Sequence, residues 1–142
     1  MKYRDPNYGE EIEDDDLNYI MVRYADVLLM KAEALNNVGD SLNEKYDCIN
    51  QVRLRAGLNK ITADQGLNKE EFSDAVLEER LHELCCEHHR RFDLIRFGKL
   101  VRQVKAAQPE INIDDHHNLY PIPQQAIDSN ELMTDKDQNP GY

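Results

Sequence analysis

A glycine–aspartate break constrains this chain more than any other feature. On its N-terminal side, IMVRYADVLLMKAEALNNV carries Tyr24, Val27, Leu28, Lys31, Leu35 and Val38 at helical spacing. Ala25, Ala32 and Ala34 keep the flanks of that segment thin, so another helix can approach closely. On the other side, Leu42, Tyr46, Ile49, Val52 and Ala56 mark one face of a second helix that runs to Gly57. Gly39 supplies the left-handed residue that a helix C-terminus favours. Asp40 or Ser41 can cap the next helix, and Glu44 follows Ser41 by three residues, as a capping box requires. A connection this short forces the two helices antiparallel, as an αα-hairpin.

Such a pair, with alanines at the crossing, resembles one tetratricopeptide unit, and no second copy follows at the expected period. Residues 59–67 read as a loop. Asn68 with Glu71 offers a second capping box, opening a long helix from Lys69 to about His89 with Leu77, Leu81, Leu84, Cys85 and His88 on one face. A further helix is expected over residues 92–104, with Phe92, Ile95 and Leu100 available for packing. Residues 106–118 are irregular and polar, and LYPIP is extended because each proline pushes its predecessor out of the α region. Pro123 then opens a short helical turn, PQQAIDSN, and the tail from Thr134 is an ordered loop or a free end. The expected fold is therefore all-α: a tetratricopeptide-like helical hairpin plus further helices with long irregular loops. An acidic N-terminal loop, residues 1–17, precedes a helical domain over residues 18–142.

A chain of 142 residues with 40% hydrophobic content fits one domain with a packed core. A net charge of −11 argues against nucleic acid, since phosphate binding needs clustered cations. No run approaches the ~20 apolar residues of a membrane helix. MKYRDPNYGEE has no apolar signal core, so taken alone the chain reads as soluble and untargeted. Cys48, Cys85 and Cys86 lack the spacing of a disulfide framework, and reduced, buried thiols are expected.

The densest chemistry lies in EERLHELCCEHHRRFDLIRFGKL, residues 78–100. On a continuous helix His82, Cys86 and His89 would share an arc of roughly 60°, a face zinc could use. Ala75 and Glu78 share that arc, a fourth ligand is missing, and Cys86 stands where HExxH needs its second histidine. Neither CxxC nor another zinc spacing is present, so no metal site is expected. Cys85, beside Leu81 and His88, reads as a small buried hydrophobe. Cys85 and His89 are in i, i+4 reach, but nothing nearby would lower the thiol pKa, and no catalytic residue is expected. His116 and His117 read as a solvated pair. Glu87 with Arg90 or Arg91, and Asp93 with Arg96, are spaced to pair and to fix the angle between two helices. A phosphate site would need a glycine-rich cradle that is absent. The acid run from Glu10 to Asp16, EEIEDDD, lacks the spacing and mid-loop glycine of a calcium-binding EF-hand and reads as a solvated loop.

Five stretches in order, RYADVLLMKAEALN, INQVRLRAGL, EERLHELCCEHHRRFDLIRFGKL, LYPIPQQAI and QNPGY, resemble the C-terminal region of RagB/SusD-type outer-membrane nutrient-binding lipoproteins. Arg23, Tyr24, Ala25, Asp26, Leu29, Ala32, Glu33 and Ala34 match the first motif, and Arg53, Arg55, Ala56 and Gly57 the end of its partner. In the third motif Glu79, Arg80, Glu83, Leu84, Glu87, Arg90, Phe92, Asp93, Leu94, Arg96 and Gly98 match. Departures are Cys86 for a usual aromatic, His88 for a usual glycine and Arg91 for a usual aromatic, taken as swaps within a packed helix. The resemblance implies a non-enzymatic surface protein without cofactors. Such a protein binds an oligosaccharide or polysaccharide, and sometimes peptides, and delivers it to a TonB-dependent SusC-type outer-membrane transporter. It implies outer-membrane, cell-surface localisation, with signal peptide and anchor cysteine in a missing N-terminal part, and marks the matched positions as scaffold. Which residues contact ligand is left unknown. The alternative is a tetratricopeptide-like protein-interaction module without glycan binding, and a metal-dependent enzyme would rest only on the Cys/His cluster.

Overall fold

The computed structural model describes residues 20–39 and 43–142. The acid run, Asp40, Ser41 and Leu42 lie outside the described residues. The chain divides into two units, residues 1–83 and 84–142. Six α-helices form among the described residues, joined by short 3-10 turns, with no strands. The all-α expectation holds.

In the first unit α1 (Tyr24–Val38), α2 (Glu44–Arg55) and α3 (Lys69–Glu83) pack on one another. Leu29 and Ala32 from α1, Ile49 and Val52 from α2, and Phe72 and Val76 from α3 form the sealed centre. Tyr46 packs edge-on against Phe72 with ring centroids 5.0 Å apart. Ala32 lies in that centre, where a small side chain permits close approach.

The buried face of α1 is rotated from the expected one. Tyr24, Val27 and Val38 are exposed, while Asp26, Leu28, Leu29, Ala32 and Asn36 are buried. Two polar residues therefore hold interior positions, and apolar spacing misjudges a face whose contacts are partly ionic. Asn36 is satisfied by donating to the Lys69 carbonyl at 2.8 Å and to Ser73 Oγ at 3.0 Å, and by accepting from Lys45 Nζ at 2.9 Å. It ties α1 to both other helices.

Gly39 ends α1 with φ +86°, the left-handed conformation expected of it. α2 opens at Glu44, after Asn43. The second capping box forms as read: Asn68 Oδ1 accepts from the amides of Glu70 and Glu71, and Glu71 Oε2 accepts from the Asn68 amide at 2.8 Å. Between α2 and α3 the loop is pinned by Asn50, whose side-chain amide donates to the Ile61 carbonyl (2.7 Å) while its oxygen accepts from the Ile61 amide (2.8 Å).

α3 stops at Glu83, six residues short of expectation. No glycine or proline stops it. Arg23 Nη2 donates to the Glu83 carbonyl at 2.8 Å, the bond an amide one turn on would otherwise make. Beyond it Cys86 and His88 both have φ +64°. Glycine tolerates that conformation at less cost than histidine does at His88. The expected helical face carrying Cys85 and His88 is therefore absent, and both residues are exposed, as is Cys86. Of the three thiols only Cys48 is buried.

The second unit holds α4 (Arg90–Arg96), α5 (Leu100–Ala107) and α6 (Gln124–Asp128). The single expected helix over residues 92–104 is two, because Phe97, Gly98 and Lys99 break it: the Gly98 amide bonds to the Ile95 carbonyl and that of Lys99 to Leu94. Leu94 and Leu100 are buried, while Phe92 is exposed. Asp93 and Arg96 pair at 2.9 Å, as their spacing suggested. Pro123 stands at the N-cap of α6, one residue outside it.

The tail is ordered. The Gln138 side chain accepts from the Ile122 amide (2.7 Å) and donates to the Ile122 carbonyl (2.9 Å). Asn139 Nδ2 donates to the Tyr120 carbonyl (2.7 Å), and the Tyr142 hydroxyl to that of Leu119 (3.0 Å). The LYPIP and QNPGY segments are thus bound to each other.

Candidate functional site

In the first unit, charged residues of the first three motifs converge. Arg80 on α3 donates to Asp26 on α1 at 2.7 Å, Arg53 on α2 to Glu79 on α3 at 2.7 Å, and Arg23 to Glu83 at 2.9 Å. Arg55 pairs with the other oxygen of Glu83. Arg53 also donates through Nε to the Asn59 carbonyl at 2.8 Å. The four arginines join three carboxylates that are nearly sealed from solvent. Buried charges are tolerated when paired and hydrogen-bonded. These positions hold helices together, so their chemistry is committed to the fold.

Two grooves flank this lattice. One of about 590 Å³ runs along α2 and the following loop, lined by Tyr46, Asp47, Asn50, Gln51, Lys60 and Thr62 among others. Its tyrosine is buried and its Asn50 is bound to Ile61, so neither offers a free face for stacking or hydrogen bonding. The other, about 360 Å³, lies between α1 and α2 and is mainly apolar, with Tyr24, Leu28 and Val52 beside Arg23 and Arg55.

The Cys/His stretch is dispersed. His82 faces solvent near Glu78 on α3, Cys86 sits in the left-handed turn and His89 precedes α4. The structure does not bring these three together as metal ligands. Cys85 and Cys86 place their sulfurs 3.6 Å apart in that turn.

A different cluster forms in the second unit. The 3-10 turn Asp115–Asn118 is capped by Asp114, whose carboxylate accepts from the His116 amide at 3.2 Å. Within that turn the His116 and His117 rings lie 3.8 Å apart, and Tyr142 meets His116 edge-on at 5.0 Å. The His116 imidazole pairs with the Asp114 carboxylate, and His117 Nδ1 lies 3.4 Å from the same oxygen. Slight desolvation pushes the Asp114 carboxyl up, but the His116 amide hydrogen bond and the two imidazoles outweigh it and hold it below its ordinary value. Arg91 donates to the His117 carbonyl at 2.7 Å and lies 4.5 Å over the Tyr120 ring, a cation–π contact. The sequence reading treated His116 and His117 as solvated; the signal it missed is Asp114 two residues ahead, in capping position.

The family model described as the SusD family matches residues 1–142. SusD-like protein P25 of Formosa agariphila is 38% identical over 132 residues, covering 88% of this chain and 25% of that protein. The starch-binding protein SusD of Bacteroides thetaiotaomicron is 29% identical over 134 residues, covering 89% of this chain and 22% of that protein. A crystal structure of a SusD homologue from Bacteroides thetaiotaomicron superimposes with a TM-score of 0.69 at 37% identity, covering 85% of this chain and 26% of that one. The chain spans about a quarter of the length of these relatives. Matched along its whole length, the chain belongs to the SusD family.

Proposed function

We propose that this chain is the C-terminal helical region of a cell-surface lipoprotein that captures glycans and passes them to a TonB-dependent SusC-type transporter. The carrying observation is that the charged residues shared with the family are consumed in pairs across α1, α2 and α3. Such positions suit a scaffold common to proteins with different ligands. Sugar rings are recognised by open aromatic faces with polar groups at the rim. This chain has no tryptophan, Tyr46 is buried, Arg91 lies over one face of the otherwise exposed Tyr120, and the exposed Tyr24, Phe92 and Tyr142 sit on separate elements. The region therefore supports a binding surface supplied mainly by the rest of the protein.

The test is a glycan screen by calorimetry on the full-length protein carrying this segment, with membrane co-purification of its transporter. Saturable glycan binding with transporter recovery is expected. A full-length protein that binds no glycan and recovers a different protein partner would replace this reading with a tetratricopeptide-like interaction module.

A further inference from the structure

We propose that Asp114, His116 and His117 form a binding site for a divalent transition-metal ion, with zinc the best match. One ligand atom from each residue lies within 4.8 Å of the others, and no other such group occurs among the described residues. Two imidazoles and one carboxylate are the donor set that suits zinc and its late first-row neighbours, with a further position left to water.

Local structure assembles these donors. A 3-10 turn has about three residues per turn, so it brings Asp114 and His117, three residues apart, to one side, while adjacent histidines stand about 120° apart rather than on opposite faces as in a strand. The Asp114 cap draws its carboxylate back over the same turn, and both rings approach a single oxygen of it. His116 is held from behind: a methyl group on Gly141 would lie 2.6 Å from its Cγ, so only glycine there leaves the ring its place. Tyr142 closes the edge of the same ring. The Arg91 guanidinium is already engaged by the His117 carbonyl and by Tyr120.

His117 Nδ1 accepts from the Asp114 amide at 3.2 Å, so an ion would take that lone pair from the amide or use the ring's Nε2. Zinc–nitrogen distances near 2.0–2.1 Å set ligands roughly 3.3 Å apart in a tetrahedron. His117 Nδ1 already stands at 3.4 Å from the Asp114 oxygen, close to that separation, and His116 would part from it by side-chain rotation. The Asp114 side chain is 57% accessible, which gives the ion a direct route in and leaves the water position open.

The test titrates the 142-residue chain with zinc by calorimetry, and with cobalt by visible absorption. A variant carrying Cys85→Ser and Cys86→Ser runs in parallel, since exposed thiols also bind zinc. The expected result is one equivalent bound in both proteins, with a tetrahedral cobalt spectrum free of thiolate charge transfer. Separately, His117→Ala and Asp114→Asn each weaken binding about tenfold or more, while circular dichroism stays unchanged. The His117 ring also stacks on His116 and caps the Asp114 amide. His117→Gln, which keeps a capping acceptor, therefore runs beside His117→Ala, and loss of binding in both with unchanged circular dichroism reports on the ion rather than the fold. Zinc binding that disappears with the two serines, or that survives His117→Ala and Asp114→Asn undiminished, overturns the proposal, as does the absence of saturable binding.

Discussion

Arg80 and Asp26 meet at 2.7 Å with side chains only 4% and 6% accessible, a sequestered ion pair between α1 and α3. Removing one partner takes a counter-charge from a buried group. Asp26→Ala or Arg80→Ala should each cost about 3–5 kcal/mol. The double variant Asp26→Leu with Arg80→Met should recover much of that loss, because an apolar pair leaves no stranded charge. Chemical denaturation of the four proteins forms the cycle that checks both statements.

Glu83 separates two kinds of arginine. Arg23 is mostly covered and also caps the Glu83 carbonyl, whereas the Arg55 side chain is 64% exposed. Arg55→Ala should cost no more than about 1 kcal/mol and lose its effect in high salt. Arg23→Ala should cost about 2 kcal/mol or more and fray the end of α3. Denaturation midpoints at two salt concentrations, with hydrogen exchange of the α3 amides, distinguish them.

His88 sits at φ +64°, where a side chain crowds the backbone. His88→Gly removes that strain at the expense of a more mobile unfolded chain, and the balance favours stabilisation by about 0.5–1 kcal/mol. His88→Val should be destabilising. Thermal or denaturant unfolding of the two variants reads the opposite signs.

Gly141 combines φ +94° with a close approach to His116. Gly141→Ala should cost about 1–3 kcal/mol of local stability and release Tyr142 from Leu119. Adding His116→Ala should relieve only part of the contact, because the Cβ at position 116 would still lie 2.7 Å from the new methyl, and the dihedral penalty also stays, so the loss is only partly restored. Hydrogen exchange in the segments 119–122 and 138–142 measures it.

Asp114 titrates below its ordinary value because its folded-state charge is favoured by the His116 amide and the two imidazoles. A depressed folded pKa means that the carboxylate stabilises its turn fully above the unfolded pKa. That contribution fades as pH falls towards the folded value. The 3-10 turn should therefore loosen only in acid, below the ordinary carboxylate range, and Asp114→Asn should abolish that response. Carboxyl NMR titration with amide exchange at His116 and His117 checks the sign.

Local chemistry was legible wherever one residue determined the backbone. Gly39 stopped α1, and Asn68 with Glu71 opened α3. The proline-bounded LYPIP was read as extended, and Arg23, Asp26, Arg53, Arg55, Glu79, Arg80 and Glu83, singled out by motif, pair with one another in the first unit. What failed depended on distant partners. Periodicity placed Tyr24 and Val38 inwards because it could not anticipate Asp26 being neutralised by Arg80, 54 residues away. It carried α3 through the Cys/His stretch because the cap on Glu83 comes from Arg23, 60 residues earlier. The Asp114 cluster was hidden for a related reason: Asp114 and His117 come to one side only where a 3-10 turn is known to form.

Asn50 and Gln138 do one thing in two places: each presents a carboxamide that binds both the amide and the carbonyl of a single distant residue, Ile61 or Ile122. A carboxamide carries the same donor and acceptor as a peptide group, so each side chain acts as a one-residue strand. Extended backbone with open valences is the template on which chains stack edge to edge. Here those valences are closed from within, and two isoleucine segments are spared from recruiting a neighbour without any sheet being built.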